Sequence, residues 1–187
     1  TIKWQAISQS QMDIANSIVA LTKILEYSCK NTLDMVALRE EIQFIEDYIY
    51  IQNMRYGSSV VVKYQIEDDC RECLVLKMLL QPIVENALIH AFDNSGEGNV
   101  ITVTCKKNKG HMKISVYDNG RGFQYEGFDK LTGIGLNNIK DRLELNFGTE
   151  SEMQIYSVIG EGTRVIIVFP IVEGGKAADE SLTDRRR

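Results

Sequence analysis

Apolar residues recur through the first third of the chain at steps of four, three and four: Ile14, Ile18, Leu21 and Leu25, then Leu38, Ile42, Ile45 and Ile49. Residues three and four apart are neighbours on a helix, so each set forms one apolar stripe. The polar stretch at 28–34 separates the two predicted helices. Two successive narrow stripes fit a helical bundle or coiled coil between two chains. Packing on the domain's own core is the alternative that spacing leaves open.

After Gly57 the period changes. Residues 60–66 are β-rich, and the long apolar segment 73–92 has the length of a helix rather than a strand. Ile101, Val103 and Cys105 alternate with Thr102, Thr104 and Lys106, and Met112, Ile114 and Val116 alternate with Lys113, Ser115 and Tyr117. Asn108-Lys109-Gly110 between them predicts a hairpin turn. Residues 135–147 read as a helix with Leu136, Ile139 and Leu143 on one face. Two further strands follow at 152–158 and 163–169, joined at Gly160-Glu161-Gly162. Strands mixed with helices predict an α+β fold, a two-layer sandwich with one layer of each. The expected organisation is dimerisation helices over 1–57, a sandwich domain over 58–172 and a disordered Gly- and charge-rich tail over 173–187.

Composition narrows the function. The 187 residues carry a net charge of -5, which disfavours a nucleic-acid partner. No apolar run is long enough to cross a bilayer. Cys70-Arg-Glu-Cys73 has C-x-x-C spacing, but Cys29 and Cys105 stand far apart in sequence, so reduced thiols are expected rather than a zinc site. His90 and His111 form no ligand pair in sequence.

Three motifs carry chemistry. Leu80-Gln81-Pro82-Ile83-Val84-Glu85-Asn86-Ala87 places two polar groups in an apolar helix, and the Asn86 carboxamide oxygen is a hard ligand of the kind Mg2+ takes. Asp118-Asn119-Gly120-Arg121-Gly122 directly follows a strand. A carboxylate there can accept a hydrogen bond from an exocyclic amine, and the glycines let backbone approach a flat ligand. An Asp-Gly turn is the plainer reading of that motif alone. Gly133-Ile134-Gly135-Leu136 opens a helix whose free N–H groups suit phosphate. No P-loop is present, and no βαβ unit supports a dinucleotide fold.

In this order the motifs resemble those of the GHKL ATPase superfamily, which comprises gyrase, the heat-shock chaperone of that fold, histidine kinases and MutL. Residues 80–87 match its N box, 118–122 its first Gly box, 133–136 its second, and Gly160-Glu161-Gly162-Thr163 a late G-x-G-T element. The resemblance implies that ATP and Mg2+ are bound, with Asn86 on the metal, Asp118 on the adenine amine, Gly120, Gly122, Gly133, Gly135 and Leu136 lining the nucleotide, and Thr163 supporting the adenine side. Residues 123–132 would be a short ATP lid, with Lys130 and Arg142 as candidate phosphate contacts beside a plainer role in surface solvation.

The LQPxVENA form of the N box looks like that of LytS/YesM-type sensor histidine kinases. Val36-Ala37-Leu38-Arg39-Glu40-Glu41 and the run 48–56 resemble that family's second dimerisation helix, and Gly135-Leu136-Asn137-Asn138-Ile139-Lys140-Asp141-Arg142-Leu143 its G-L-x-N-x-x-x-R-L run. The resemblance implies a homodimer through the N-terminal helices, a response-regulator partner and the cytoplasmic part of a bacterial plasma-membrane sensor. Membrane contact would come only through parts outside this chain. The family's phosphoacceptor segment, P-H-F-L-[FY]-N, is not found, which predicts a fragment that does not label itself. Hydrolysing relatives carry a glutamate one helical turn before the metal-binding asparagine. Pro82 stands there, which favours phosphoryl transfer, and Glu85 is the nearest carboxylate to polarise an incoming imidazole. The alternatives are a GHKL-type ATPase and a nucleotide-gated dimerisation module without kinase activity.

Overall fold

A computed structural model describes residues 7, 11–29, 34–56, 60–92, 98–124, 127 and 134–173. Helix α1 (Met12–Cys29) is followed by a short strand β1 (Met35–Ala37) and helix α2 (Leu38–Tyr56). Then come β2 (Val61–Ile66), β3 (Cys73–Leu76) and the short helix α3 (Gln81–Asn86), which continues as a π-helical turn over Ala87–Ala91. Strands β4 (Val100–Asn108) and β5 (His111–Asp118), helix α4 (Ile134–Phe147), and strands β6 (Glu152–Val158), β7 (Gly162–Pro170) and β8 (Val172–Glu173) complete it.

The main sheet has the order β2-β4-β5-β7-β6. Only β2 and β4 run parallel; every other pair is antiparallel. Alternation decides which face is covered. Ile101, Val103 and Cys105, then Met112, Ile114 and Val116, then Val165, Ile167 and Phe169 are all buried. They share one hydrophobic cluster with Ile83 and Val84 of α3 and with Leu136, Ile139 and Leu143 of α4. The expected two-layer α+β sandwich is therefore what forms. At the β4–β5 turn, Lys109 and Gly110 both have positive φ (47° and 82°), the geometry a two-residue hairpin needs.

The two stripes of the first third diverge. Leu38, Ile42, Ile45 and Ile49 of α2 are 0–7% exposed and join the domain core. In α1, Ile14, Leu21 and Leu25 are 46–55% exposed, while Ala15, Ala20 and Tyr27 are buried.

Three details depart from the sequence reading. Val36 and Ala37, read as the start of a dimerisation helix, lie in strand β1, which pairs with β3; β3 in turn pairs with β8 in a small antiparallel sheet. The segment 73–92 is not one helix, because β3 occupies its first four residues and a turn with Met78 at φ 58° intervenes before α3. Glu173, assigned to the tail, pairs with Cys73 in β8, and the remainder of the expected tail lies outside the described residues.

Cys105 also proves less isolated than its sequence position implies. The parallel β2–β4 pairing sets it opposite Ile66, and its thiol shares a hydrogen bond with that of Cys70. Cys70, Cys73 and Cys105 are buried free thiols, and Cys29 is exposed. Burial pushes the Cys70 and Cys105 thiols up, so they stay neutral, the form least suited to binding metal or attacking an electrophile.

Candidate functional site

Asp118 is the last residue of β5 and has the parity of Met112, Ile114 and Val116. Period-two alternation therefore turns its carboxylate toward the helix-covered face, where it is 6% exposed. Burial pushes its carboxyl above the ordinary value; hydrogen bonds from the backbone of Gly120 (3.0 Å) and Thr163 oppose that shift. In the β5–β7 register Asp118 lies opposite Thr163. The Thr163 hydroxyl is 2.9 Å from Ser157 Oγ, and Ser157 in turn accepts from the Phe123 N–H at 2.8 Å.

The glycines here are places where a side chain has no room. A Cβ on Gly120 would lie 2.4 Å from Ala91 Cβ. One on Gly122 (φ 60°) would lie 1.9 Å from the Val158 carbonyl oxygen, and one on Gly162 (φ 101°) 2.0 Å from that of Asp118. Backbone and glycine thus close the wall beside Asp118. Asn119 fixes the start of this loop: its Nδ2 donates to the Gly98 carbonyl at 2.8 Å and its Oδ1 accepts from the Val100 N–H at 2.7 Å.

Helix α3 joins this wall to the second Gly motif. At its far end, the Arg121 N–H donates to the Ala91 carbonyl at 2.9 Å, beside the Gly120–Ala91 approach. At its near end, a Cβ on Gly135 would come within 3.1 Å of Pro82 Cβ. Glu85 and Asn86 lie between these two anchor points and are half-buried. Gln81 Nε2 donates to Glu85 Oε1 at 2.9 Å, which orients that carboxylate. Leu136 is buried at the start of α4.

Gly120 and Gly135 thus approach the two ends of the helical segment that carries Glu85 and Asn86; Asp118, Gly122 and Thr163 lie on the Gly120 side, and Leu136 follows Gly135. Gly133, Lys130 and most of the expected lid lie outside the described residues. Arg142, read as a candidate phosphate contact, instead donates to the Lys77 carbonyl at 2.8 Å, because α4 passes directly over the turn before α3. His90 is exposed beyond Asn86, and His111 opens β5.

One residue escaped the sequence reading. Glu41 is fully buried. Its carboxylate accepts from the N–H groups of Met78 (2.5 Å) and Leu80 (3.0 Å) and from the Tyr27 hydroxyl. A signal did exist: Glu41 stands three residues after Leu38 and four before Ile45, on the apolar face.

Residues 75–173 match the family described as histidine kinase-, DNA gyrase B-, and HSP90-like ATPase, and residues 1–60 match the histidine kinase family. The chain is similar to the sensor histidine kinase YesM of Bacillus subtilis, at 33% identity over 91% of the chain and 30% of that protein. It is also similar to the sensor protein LytS of Staphylococcus saprophyticus, at 36% identity over 72% of the chain and 24% of that protein. Among solved structures, the histidine kinase domain of an Erythrobacter litoralis blue-light activated histidine kinase aligns with a TM-score of 0.58 at 19% identity, over 91% of this chain and 81% of that one. The catalytic domain of the histidine kinase ThkA aligns with a TM-score of 0.56 at 18% identity, over 74% of this chain and 97% of that one. These two likenesses speak to the fold. The chain spans less than a third of the length of either sensor protein.

Proposed function

The chain belongs to the histidine kinase-, DNA gyrase B- and HSP90-like ATPase family, and from that membership we propose that it is the ATP-binding catalytic part of a two-component sensor histidine kinase. It passes the γ-phosphoryl group of ATP to a histidine that neither His90 nor His111 supplies, and thence to a response regulator. The observation that carries this reading is the bridging of both Gly motifs by the two ends of helix α3, with Glu85 and Asn86 between them.

Each group has a task in this reading. The Asp118 carboxylate accepts a hydrogen bond from the adenine amine, and Gly120, Gly122 and Gly162 let backbone close tightly beside it to form the wall against a flat base. Thr163, held by Ser157, supports that side. The first turn of α4, at Gly135 and Leu136, offers backbone N–H groups to the phosphates, and Gly133 is proposed to join them. Asn86 supplies a hard oxygen donor of the kind Mg2+ takes. When bound there, the metal neutralises charge on the phosphate oxygens. Glu85, oriented by Gln81, accepts a hydrogen bond from one ring N–H of the incoming imidazole and so polarises it for attack through the other nitrogen. Pro82, one turn before Asn86, supplies no base to activate water, which favours transfer over hydrolysis. The exposed stripe of α1 is the homodimer surface. No described helix is long and apolar enough to cross a membrane; in this reading the chain is the cytoplasmic part of a membrane sensor.

The test is titration of ATP into the chain with and without Mg2+, for the native protein and Asp118→Asn. Tighter binding with Mg2+, and a loss on the order of a hundredfold in the variant under both conditions, is expected for a site built around one polar contact to the base. Equal affinity of native protein and variant would end the reading.

A further inference from the structure

A fully buried carboxylate on α2 is costly unless many donors meet it. Glu41 has them, and the donors are informative. The Met78 and Leu80 N–H groups belong to the turn that leads into α3, whose first residue is Gln81. Met78 holds φ 58°, a conformation that costs a non-glycine residue about 1 kcal/mol or more. The bonds to Glu41 keep it there. The side-chain donor, the Tyr27 hydroxyl, comes from α1. The same turn touches α1 again, since Lys77 Nζ donates to the Ser28 carbonyl at 3.3 Å and lies 5.2 Å from the Tyr27 ring centre. It meets α4 through Arg142 and the Lys77 carbonyl. Residues 77–80 are thus a junction where α1, α2 and α4 meet the lead-in to the helix bearing Glu85 and Asn86.

We propose that Glu41 is a positioning residue for the nucleotide site, and that Tyr27 makes its hold depend on where α1 lies. Glu41 fixes the turn at 78–80, the turn fixes the start of α3, and α3 carries Asn86, the oxygen donor expected to face the metal. A shift of α1 that withdraws the Tyr27 hydroxyl leaves the carboxylate short of one donor and loosens that turn. The position of the first helix is thereby transmitted to the phosphate end of the site, while the adenine end, built on β5 and β7, is left alone. The consequence for nucleotide rests on the function proposed above; the joint itself does not.

Two measurements on the 187-residue chain test this, using Tyr27→Phe and Glu41→Gln with Asp118→Asn as the control. The first is hydrogen exchange. Tyr27→Phe removes one hydroxyl and keeps the ring, so amides of 78–86 should exchange on the order of tenfold faster while those of β5 and β7 stay unchanged. Glu41→Gln, which cannot serve all the donors, should do more. The second is ATP titration. Tyr27→Phe should weaken binding with Mg2+ by about three- to tenfold and leave Mg2+-free binding unchanged, whereas Asp118→Asn weakens both. A merely structural role would instead lower the melting temperature and both affinities together. Unchanged exchange at 78–86 in Tyr27→Phe overturns the joint, and parallel loss of both affinities overturns the positioning role. If the native chain binds no ATP, the functional reading fails separately, and exchange alone decides the joint. Should Glu41→Gln fail to fold, Tyr27→Phe still gives both readouts.

Discussion

Helices α1 and α2 carry the same apolar spacing and meet opposite fates. In α2 the stripe is sealed beneath the sheet domain, next to α3; in α1 it faces outward while the helix is held by small residues and Tyr27 on another side. Periodicity specifies that a stripe exists. It does not say whether the cover comes from the same chain or another. What separates the two helices is the rest of the sequence: α2 follows directly on a strand paired into the domain, whereas α1 packs along α2, through Tyr27 on Phe44 and Lys23 beside Asp47, and leaves its other side open.

This contrast can be broken in order of size. Ile45→Ala should cost about 3 kcal/mol of folding stability, measured by urea unfolding, because it opens a cavity in a sealed core. A cost near zero would mean that α2 does not belong to the domain core. Next, Leu21→Glu should weaken self-association by at least about tenfold in sedimentation equilibrium, while Ile45→Ala at low denaturant should leave it intact. Smaller still, Leu21→Ala in dilute, monomeric chain should shift unfolding by no more than about 0.5 kcal/mol.

The smallest effect is one of pH. Asp118 is buried and its carboxyl is raised in the folded chain, so the native state keeps that proton longer than the unfolded state does. Its contribution to stability is therefore largest below the ordinary value of 3.8 and is lost as pH rises through the folded value. The difference in unfolding free energy between Asp118→Asn and the native chain should move in the variant's favour as pH rises through that window. A difference that moves the other way would mean that the backbone bonds, not burial, govern Asp118.

Much of the sheet was readable because alternation is local: β4 and β5, their two-residue turn and the β6–β7 hairpin each follow from a few neighbouring residues. The Gly motifs were readable for the same reason. What escaped detection was decided by distant partners. Strand β3 looked like part of a helix because four apolar residues fit either form, and only β1 and β8 make it a strand. The Met78 turn has no Gly or Pro to announce it; its conformation is set by a carboxylate 37 positions earlier in the chain. Glu41 itself reads as an ordinary helix-surface charge until the apolar residues around it are placed on a wheel.

Cys29 closes α1 as its one exposed thiol, while Cys70, Cys73 and Cys105 of the sheet domain are buried. It sits next to Ser28, whose carbonyl meets Lys77. Maleimide chemistry at neutral pH will therefore address a single position without mutagenesis. A fluorophore or spin label there rides on α1, one residue from the Ser28 carbonyl that meets Lys77, so the native chain comes with its own reporter.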